Sequence, residues 1–179
     1  MNFVVLAGMI AVVVIVAFVG VFVLGGNKFS NSSPASLVNG SVGVPPFFIV
    51  FLTPSQVSSV YGQTYSASSI TNVSVNSYEK TYSKSYFGPS GSEIVITFDK
   101  FSTGGNATQD YNSFIGNAQS VNYGIYKGLK YEIVTSQGGT NVILVLNANS
   151  VLMIEFLKGS AVQRSEVSIM QQEVDAALS

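Results

Sequence analysis

The sequence predicts an α+β fold class: a single N-terminal transmembrane helix followed by one antiparallel β-sheet domain with helices packed on one face, in the order α-β-β-α-β-β-β-α. Three observations carry this. Residues 3–24, FVVLAGMIAVVVIVAFVGVFVL, hold no charge, and about 20 apolar residues rising about 1.5 Å each cross a hydrocarbon layer of about 30 Å. Beyond them, apolar periodicity switches between the alternation of strands and the three-to-four spacing of helices. Near the end, the apolar runs VILVL and VLMIEFL are separated only by a short Asn-Ala-Asn-Ser reversal, as neighbouring buried strands are.

The apolar run is assigned as an uncleaved signal-anchor. A cleaved secretory signal has a basic leader, an apolar core of about 7 to 15 residues and a small-x-small cleavage site. Here the run is longer, no Lys or Arg precedes it, and no such site follows before Gly25-Gly26. A core helix of a soluble domain seldom stays apolar on every face over this length. The chain therefore divides into a transmembrane helix at 1–26, a tether rich in Ser, Asn, Gly and Pro at 27–46, and an extracellular domain at 47–179.

Lys28 alone cannot orient the span by loop charge. The acceptor patterns for glycosylation at Asn31, Asn39, Asn72 and Asn106 matter only on an exported face, so they place the N-terminus inside and the C-terminal domain outside the cell membrane. Within the span, Ala7, Gly8 and Ala11 form a small-residue patch that would let another helix approach closely. The alternative is a lipid-facing anchor in which they do nothing specific.

Composition narrows the chemistry. Only 9% of the residues are charged and net charge is -1, so there is no basic surface for nucleic acid. Cys and His are absent, which excludes disulfides, Ser-His-Asp and Cys-His catalysis, and zinc sites with nitrogen or sulfur ligands. No P-loop, EF-hand or dinucleotide fingerprint occurs, and no cofactor or metal is expected. Carboxylate chemistry has Asp99, Glu132 and Glu155 as candidates, and a Ser-Lys pair is conceivable. Glu155, set in an apolar strand, is the candidate for a raised pKa unless it faces water at a sheet edge. A wet surface built from Ser, Thr, Asn, Gln and Tyr keeps its hydration when carboxylates protonate, so an acidic or hot exterior is expected.

The elements follow in order. FFIVFL at 47–52 is the most apolar run after the span and is expected as a buried strand; the sharper alternative is a strand or aromatic wedge offered to a neighbour or to lipid headgroups through Phe47, Phe48 and Phe51. Thr53-Pro54-Ser55-Gln56 opens a short helix with a capping box, and Gly62 ends it. Residues 77–101 form a hairpin about Gly88-Pro89-Ser90-Gly91, with Ile94, Ile96 and Phe98 inward. On its first strand Tyr78, Tyr82 and Tyr86 interleave with Lys80 and Lys84, a face that would suit a sugar or polyanion and is equally ordinary as exposed surface. Residues 106–118 form an amphipathic helix capped by Asn106. Strands at 126–135, 141–147 and 151–158 follow, with Leu144, Leu146, Ile154 and Phe156 on one face and Ile143, Val145, Val151 and Met153 on the other. Ser160 and Gln163 open the last helix, whose stripe of Val167, Met170, Val174 and Leu178 docks on the sheet while Glu166, Glu173 and Asp175 stay outside.

In composition the chain resembles surface proteins of thermoacidophilic archaea. The stretches LTPSQVSSVYG, YKGLKYEIVTS and NVILVLNANSVLMIEF resemble small exported lipoprotein and sensor-type α+β domains, without the lipobox Cys. The resemblance implies an exported domain and carries no catalytic residue with it. The function expected is a membrane-anchored extracellular binding module or accessory subunit without catalytic activity, with the lipid bilayer and a protein partner or self-association as its contacts. The alternative is a subunit of a cell-surface filament or virion envelope assembled through the N-terminal helix, resembling a type IV pilin only in having an apolar helix before a globular head.

Overall fold

A computed structural model describes residues 43–77, 79–118, 120–135, 140–157 and 164–179. The apolar run and most of the tether lie outside the described residues, and with them Ala7, Gly8, Ala11, Asn31 and Asn39; Tyr78 does too. Among the described residues no helix is long and apolar enough to cross a membrane.

The elements are α1 (Pro54–Tyr61), β1 (Ser66–Ala67), β2 (Thr71–Asn76), β3 (Glu79–Phe87), a 3-10 turn at Pro89–Gly91, β4 (Glu93–Phe101), α2 (Gly104–Gly116), β5 (Ser120–Tyr126), β6 (Leu129–Thr135), β7 (Asn141–Asn147), β8 (Ser150–Leu157) and α3 (Arg164–Leu178). Among the described residues the strands make one eight-stranded sheet in the order β1-β3-β4-β8-β7-β6-β5, with β2 also pairing β3. Every pairing is antiparallel. The α+β class and the antiparallel sheet are as the sequence predicts. The number of strands is not: β1 is only two residues long, β2 is exposed along its whole length, and β5 is recognisable only through the turn that joins it to β6.

The helices do not share one face. Val57 of α1 and Ile169, Met170, Val174 and Ala177 of α3 pack with Ile94, Ile96, Phe98, Ile143, Val145, Leu152, Ile154 and Phe156 on one side of the sheet. Ala107 and Tyr111 of α2 pack with Phe101, Val134, Val142, Leu144, Leu146, Val151 and Met153 on the other. This corrects the one-sided layering expected from the element order. It also explains why β7 and β8 are apolar on both faces: each face is removed from water by its own helix layer.

The assignment of residues to faces is corrected as well. Asn147 pairs with Ser150, so only Ala148 and Asn149 form the turn, with Ala148 in the left-handed region at φ 52. That register sets Ile143 opposite Ile154 and Leu144 opposite Met153. A one-residue error in turn length exchanges the two faces of a strand, and Leu144 and Leu146 accordingly join Val151 and Met153 rather than Ile154 and Phe156.

Two further elements start elsewhere than their sequence signals suggest. The strand expected at 126–135 is the second half of a hairpin, in which Tyr126 pairs with Leu129 across Lys127 and Gly128, both at positive φ. Two residues with φ above zero give the turn whose twist matches the strands, and Lys-Gly performs it without the usual Asn-Gly. Helix α2 is capped by Thr103, whose hydroxyl accepts from the backbone N–H of Asn106 at 3.3 Å, so Asn106 sits inside the first turn. The α1 start is as expected: Thr53 and Gln56 exchange both capping-box bonds, and Gly62 ends the helix at φ 64.

Helix α3 is rotated from the stripe read off the sequence. Its buried residues are Glu166, Ile169, Met170, Glu173, Val174 and Ala177, a three-to-four spacing that runs through two carboxyl groups. The expectation that Glu166 and Glu173 stay outside is thereby corrected. Glu173 is fully buried. The periodicity of the helix sets its position, and one of its oxygens finds a backbone partner on the opposing chain segment.

Candidate interaction surfaces and buried carboxyl groups

Residues 47–52 form an extended crossing that belongs to no strand, which corrects the buried strand expected there. They lie over the α1 and α3 side of the sheet. Phe47 and Phe51 meet the ring of Phe98 edge-on, at centroid distances of 5.9 and 5.5 Å. The backbone is pinned along its length. The side-chain amide of Asn147 donates to the Pro45 carbonyl at 2.7 Å, and the Phe48 N–H donates to the Ala177 carbonyl at 2.8 Å. Leu52 is held at both backbone polar groups: its N–H donates to Glu173 Oε2 at 3.2 Å, and its carbonyl accepts from the Tyr86 hydroxyl at 2.7 Å and Lys84 Nζ at 3.1 Å.

This arrangement decides the fate of the aromatic candidates. Phe47 and Tyr86 are core residues, at 2% and 0% exposure, and cannot form a surface. Phe51 and Tyr82 are half-buried and packed against the core. Phe48 is 61% exposed and, with Val50 at 44%, forms the wet side of the crossing. The Tyr-Lys face of β3 therefore packs on the core: Tyr82, Lys84 and Tyr86 lie opposite Phe98, Ile96 and Ile94, while Thr81, Ser83 and Ser85 on the other face are buried as well. The Tyr86 hydroxyl and the Lys84 ammonium serve the Leu52 carbonyl rather than a sugar.

Glu173 has one oxygen on the Leu52 N–H, while Oε1 is buried without a partner. Burial pushes its pKa up to about 8, against the lowering influence of the Leu52 N–H and of Lys84. The buried carboxyl is thus carried mostly as the neutral acid at neutral pH. Glu173→Gln keeps an acceptor for Leu52 and removes the ionisable group, so it is expected to stabilise the fold by about 1–3 kcal/mol at pH 9 and to change little at pH 4, measured by denaturant unfolding. Glu173→Leu, which strands the Leu52 N–H, is expected to destabilise at pH 4, where the wild-type carboxyl is already neutral.

The opposite face carries a second set of carboxyls. Thr81 Oγ1 donates to Asp99 Oδ1 at 2.5 Å. Burial, reinforced by Asp110, Glu79 and Glu155 and opposed by Thr81, pushes Asp99 up to about 7. Burial and then Glu79 raise Asp110 to about 6; burial and then Glu93 raise Glu155 to about 7. Glu155 stands on β8, between β4 and β7, so the water-facing edge weighed for it is excluded. Glu132 pairs with Lys130 at 2.5 Å and adjoins Tyr111, whose ionisation burial and Glu132 both oppose. Among the described residues no group of three or more carboxylates is placed to hold a metal ion.

Of the described sequons, Asn72 is exposed on β2, while Asn106 is half-buried in α2 with the Thr108 hydroxyl donating to the Gly104 carbonyl at 2.8 Å. Sequence reasoning missed the β5 edge. Val121, Tyr123 and Ile125 are 42%, 73% and 74% exposed on the last strand of the sheet. The signal for it was the Lys-Gly turn between two alternating runs.

No protein-family model and no curated protein matches the chain at a significant level. Among solved structures the chain is similar to the extracellular domain of PknH from Mycobacterium tuberculosis, at 11% identity and a TM-score of 0.53, over 75% of this chain and 98% of that one. That likeness is one of fold: an α+β domain with an antiparallel sheet, shared with a domain that stands outside a cell.

Proposed function

We propose that the protein is a membrane-tethered extracellular module that binds a protein partner or serves as an accessory subunit, without catalytic activity of its own. The observation that carries this is the order of parts along the chain: an uncharged apolar run long enough to span a bilayer, a tether, and then a self-contained α+β sheet domain. Likeness in fold to an extracellular domain supports the same placement. The span anchors the chain with its N-terminus inside, and the domain stands outside, where the neutral polar surface suits an acidic medium.

The arrangement is tested on whole cells expressing the full chain. The protein is expected to stay with membranes through a carbonate wash at high pH, and protease added to intact cells is expected to remove the domain. Recovery of a washed-off chain, or a domain that survives external protease and is cut only after lysis, would overturn the proposal. Purification from native membranes in mild detergent then identifies what accompanies it.

A further inference from the structure

Strand β5 ends the sheet, and among the described residues its outer edge carries no device against pairing with another strand. Natural edges are blunted by charge, proline, bulges or a covering segment. The run SVNYGIY has no charge and no proline, and its pairing with β6 runs from Ser120–Thr135 to Tyr126–Leu129 without a bulge. The other edge differs, since the pairing of β2 with β3 shifts register between Ser74 and Asn76.

The two-residue turn fixes which backbone groups of β5 are free. Tyr126 and Leu129 flank the turn and exchange both hydrogen bonds, as do alternate pairs back along the hairpin. Residues 122, 124 and 126 therefore face β6, and the N–H and C=O groups of Val121, Tyr123 and Ile125 point away from the sheet. These are the same residues whose side chains are exposed, all on the face that carries Val134 and Tyr111. On the opposite face Gly124 lies against the ring of Tyr131, where a Cβ would clash.

We infer that β5 pairs with β5 of a second copy of this chain, antiparallel about a two-fold axis at Tyr123. The pattern is symmetric about that residue. Tyr123 meets its own counterpart, and Val121 meets Ile125 of the second copy in both directions. Both outward groups of all three residues are then bonded, and every cross-strand side-chain pair on that face is apolar or aromatic. Lys130, whose ammonium lies 5.2 Å from the centroid of Tyr123 and is paired with Glu132, brings no unbalanced charge to the axis. The inference rests on the tethered reading above, because copies confined to one membrane meet at high effective concentration and need only a modest edge contact.

The test uses the full chain in detergent micelles, with mass read by light scattering corrected for detergent. The wild type is expected as a dimer. Tyr123→Pro removes an outward N–H that β6 does not use, and Ile125→Lys places a charge at each end of the shared edge. Each is expected to weaken dimerisation at least tenfold with the fold retained by circular dichroism, whereas Val73→Lys on β2 leaves it unchanged. Two variants acting through different groups keep the result readable if one fails to fold. A monomeric wild type, or assemblies that persist in both β5 variants, overturns the inference. A monomer that still copurifies with a different protein overturns the self-pairing and leaves the module proposal standing.

Discussion

Unfolding followed from pH 3 to pH 9 is expected to show a protein most stable in acid, losing stability steadily between about pH 4 and about pH 8. The carboxyls of Asp110 at about 6, Asp99 and Glu155 at about 7, and Glu173 at about 8 all stand above their ordinary values in the folded chain. Burial is the main cause in each. A carboxyl raised in this way binds a proton in the folded chain that the unfolded chain has already released, so stability falls as pH rises past the unfolded value and on through the folded one. Below both values the contribution is fully present.

Each tenfold difference in proton affinity between the folded and unfolded chains is worth about 1.4 kcal/mol, so each of these groups contributes a few kcal/mol, comparable with the whole stability of a domain. Their effects are not additive, because Asp99 is itself raised by Asp110 and Glu155. The expected net loss is several kcal/mol, seen as a fall in Tm of more than about 10 °C from pH 4 to pH 8. The ion pair of Lys127 with Asp175, at 2.6 Å, is exposed and screened by solvent. A profile that is flat, or that peaks near neutrality, would show that these carboxyls are solvated. The expected profile is also the one that an acidic exterior requires.

Phe98→Ala is expected to cost about 3–5 kcal/mol. Phe98 is fully buried at the centre of β4, where two rings of the 47–52 crossing converge on it. Its removal leaves a cavity and unseats Phe47 and Phe51 together. The crossing would then be held mainly by the bonds at Phe48 and Leu52. Limited proteolysis should accordingly cut near residues 47–52 in the variant at pH values where the wild type resists. Resistance equal to wild type, at matched global stability, would show that the polar clamp alone holds the crossing.

Chain order shaped what could be anticipated. The capping box at Thr53, the β3–β4 hairpin and the amphipathic character of α2 are written within a few residues of one another, so local chemistry suffices to find them. The layering of helices on both faces was not legible. It depends on which face of β7 and β8 each helix reaches, and that follows from a two-residue turn at Ala148-Asn149 that composition alone does not distinguish from a longer one. The Tyr-Lys row of β3 illustrates the same limit. Alternation placed Tyr82, Lys84 and Tyr86 on one face, but only the crossing, pinned at Leu52 by Glu173 from the far end of the chain, made that face an interior one.

The α+β class, the antiparallel pairing, the absence of thiol and imidazole chemistry, and an apolar run of membrane-spanning length are legible in the residues alone, because each is a property of composition or of short-range periodicity. Where the buried carboxyls lie, which aromatic rings are core and, among the described residues, that β5 is an uncovered edge all come from the folded arrangement. Those are outcomes of long-range register and packing, in which the environment of a side chain is supplied by residues distant in the chain.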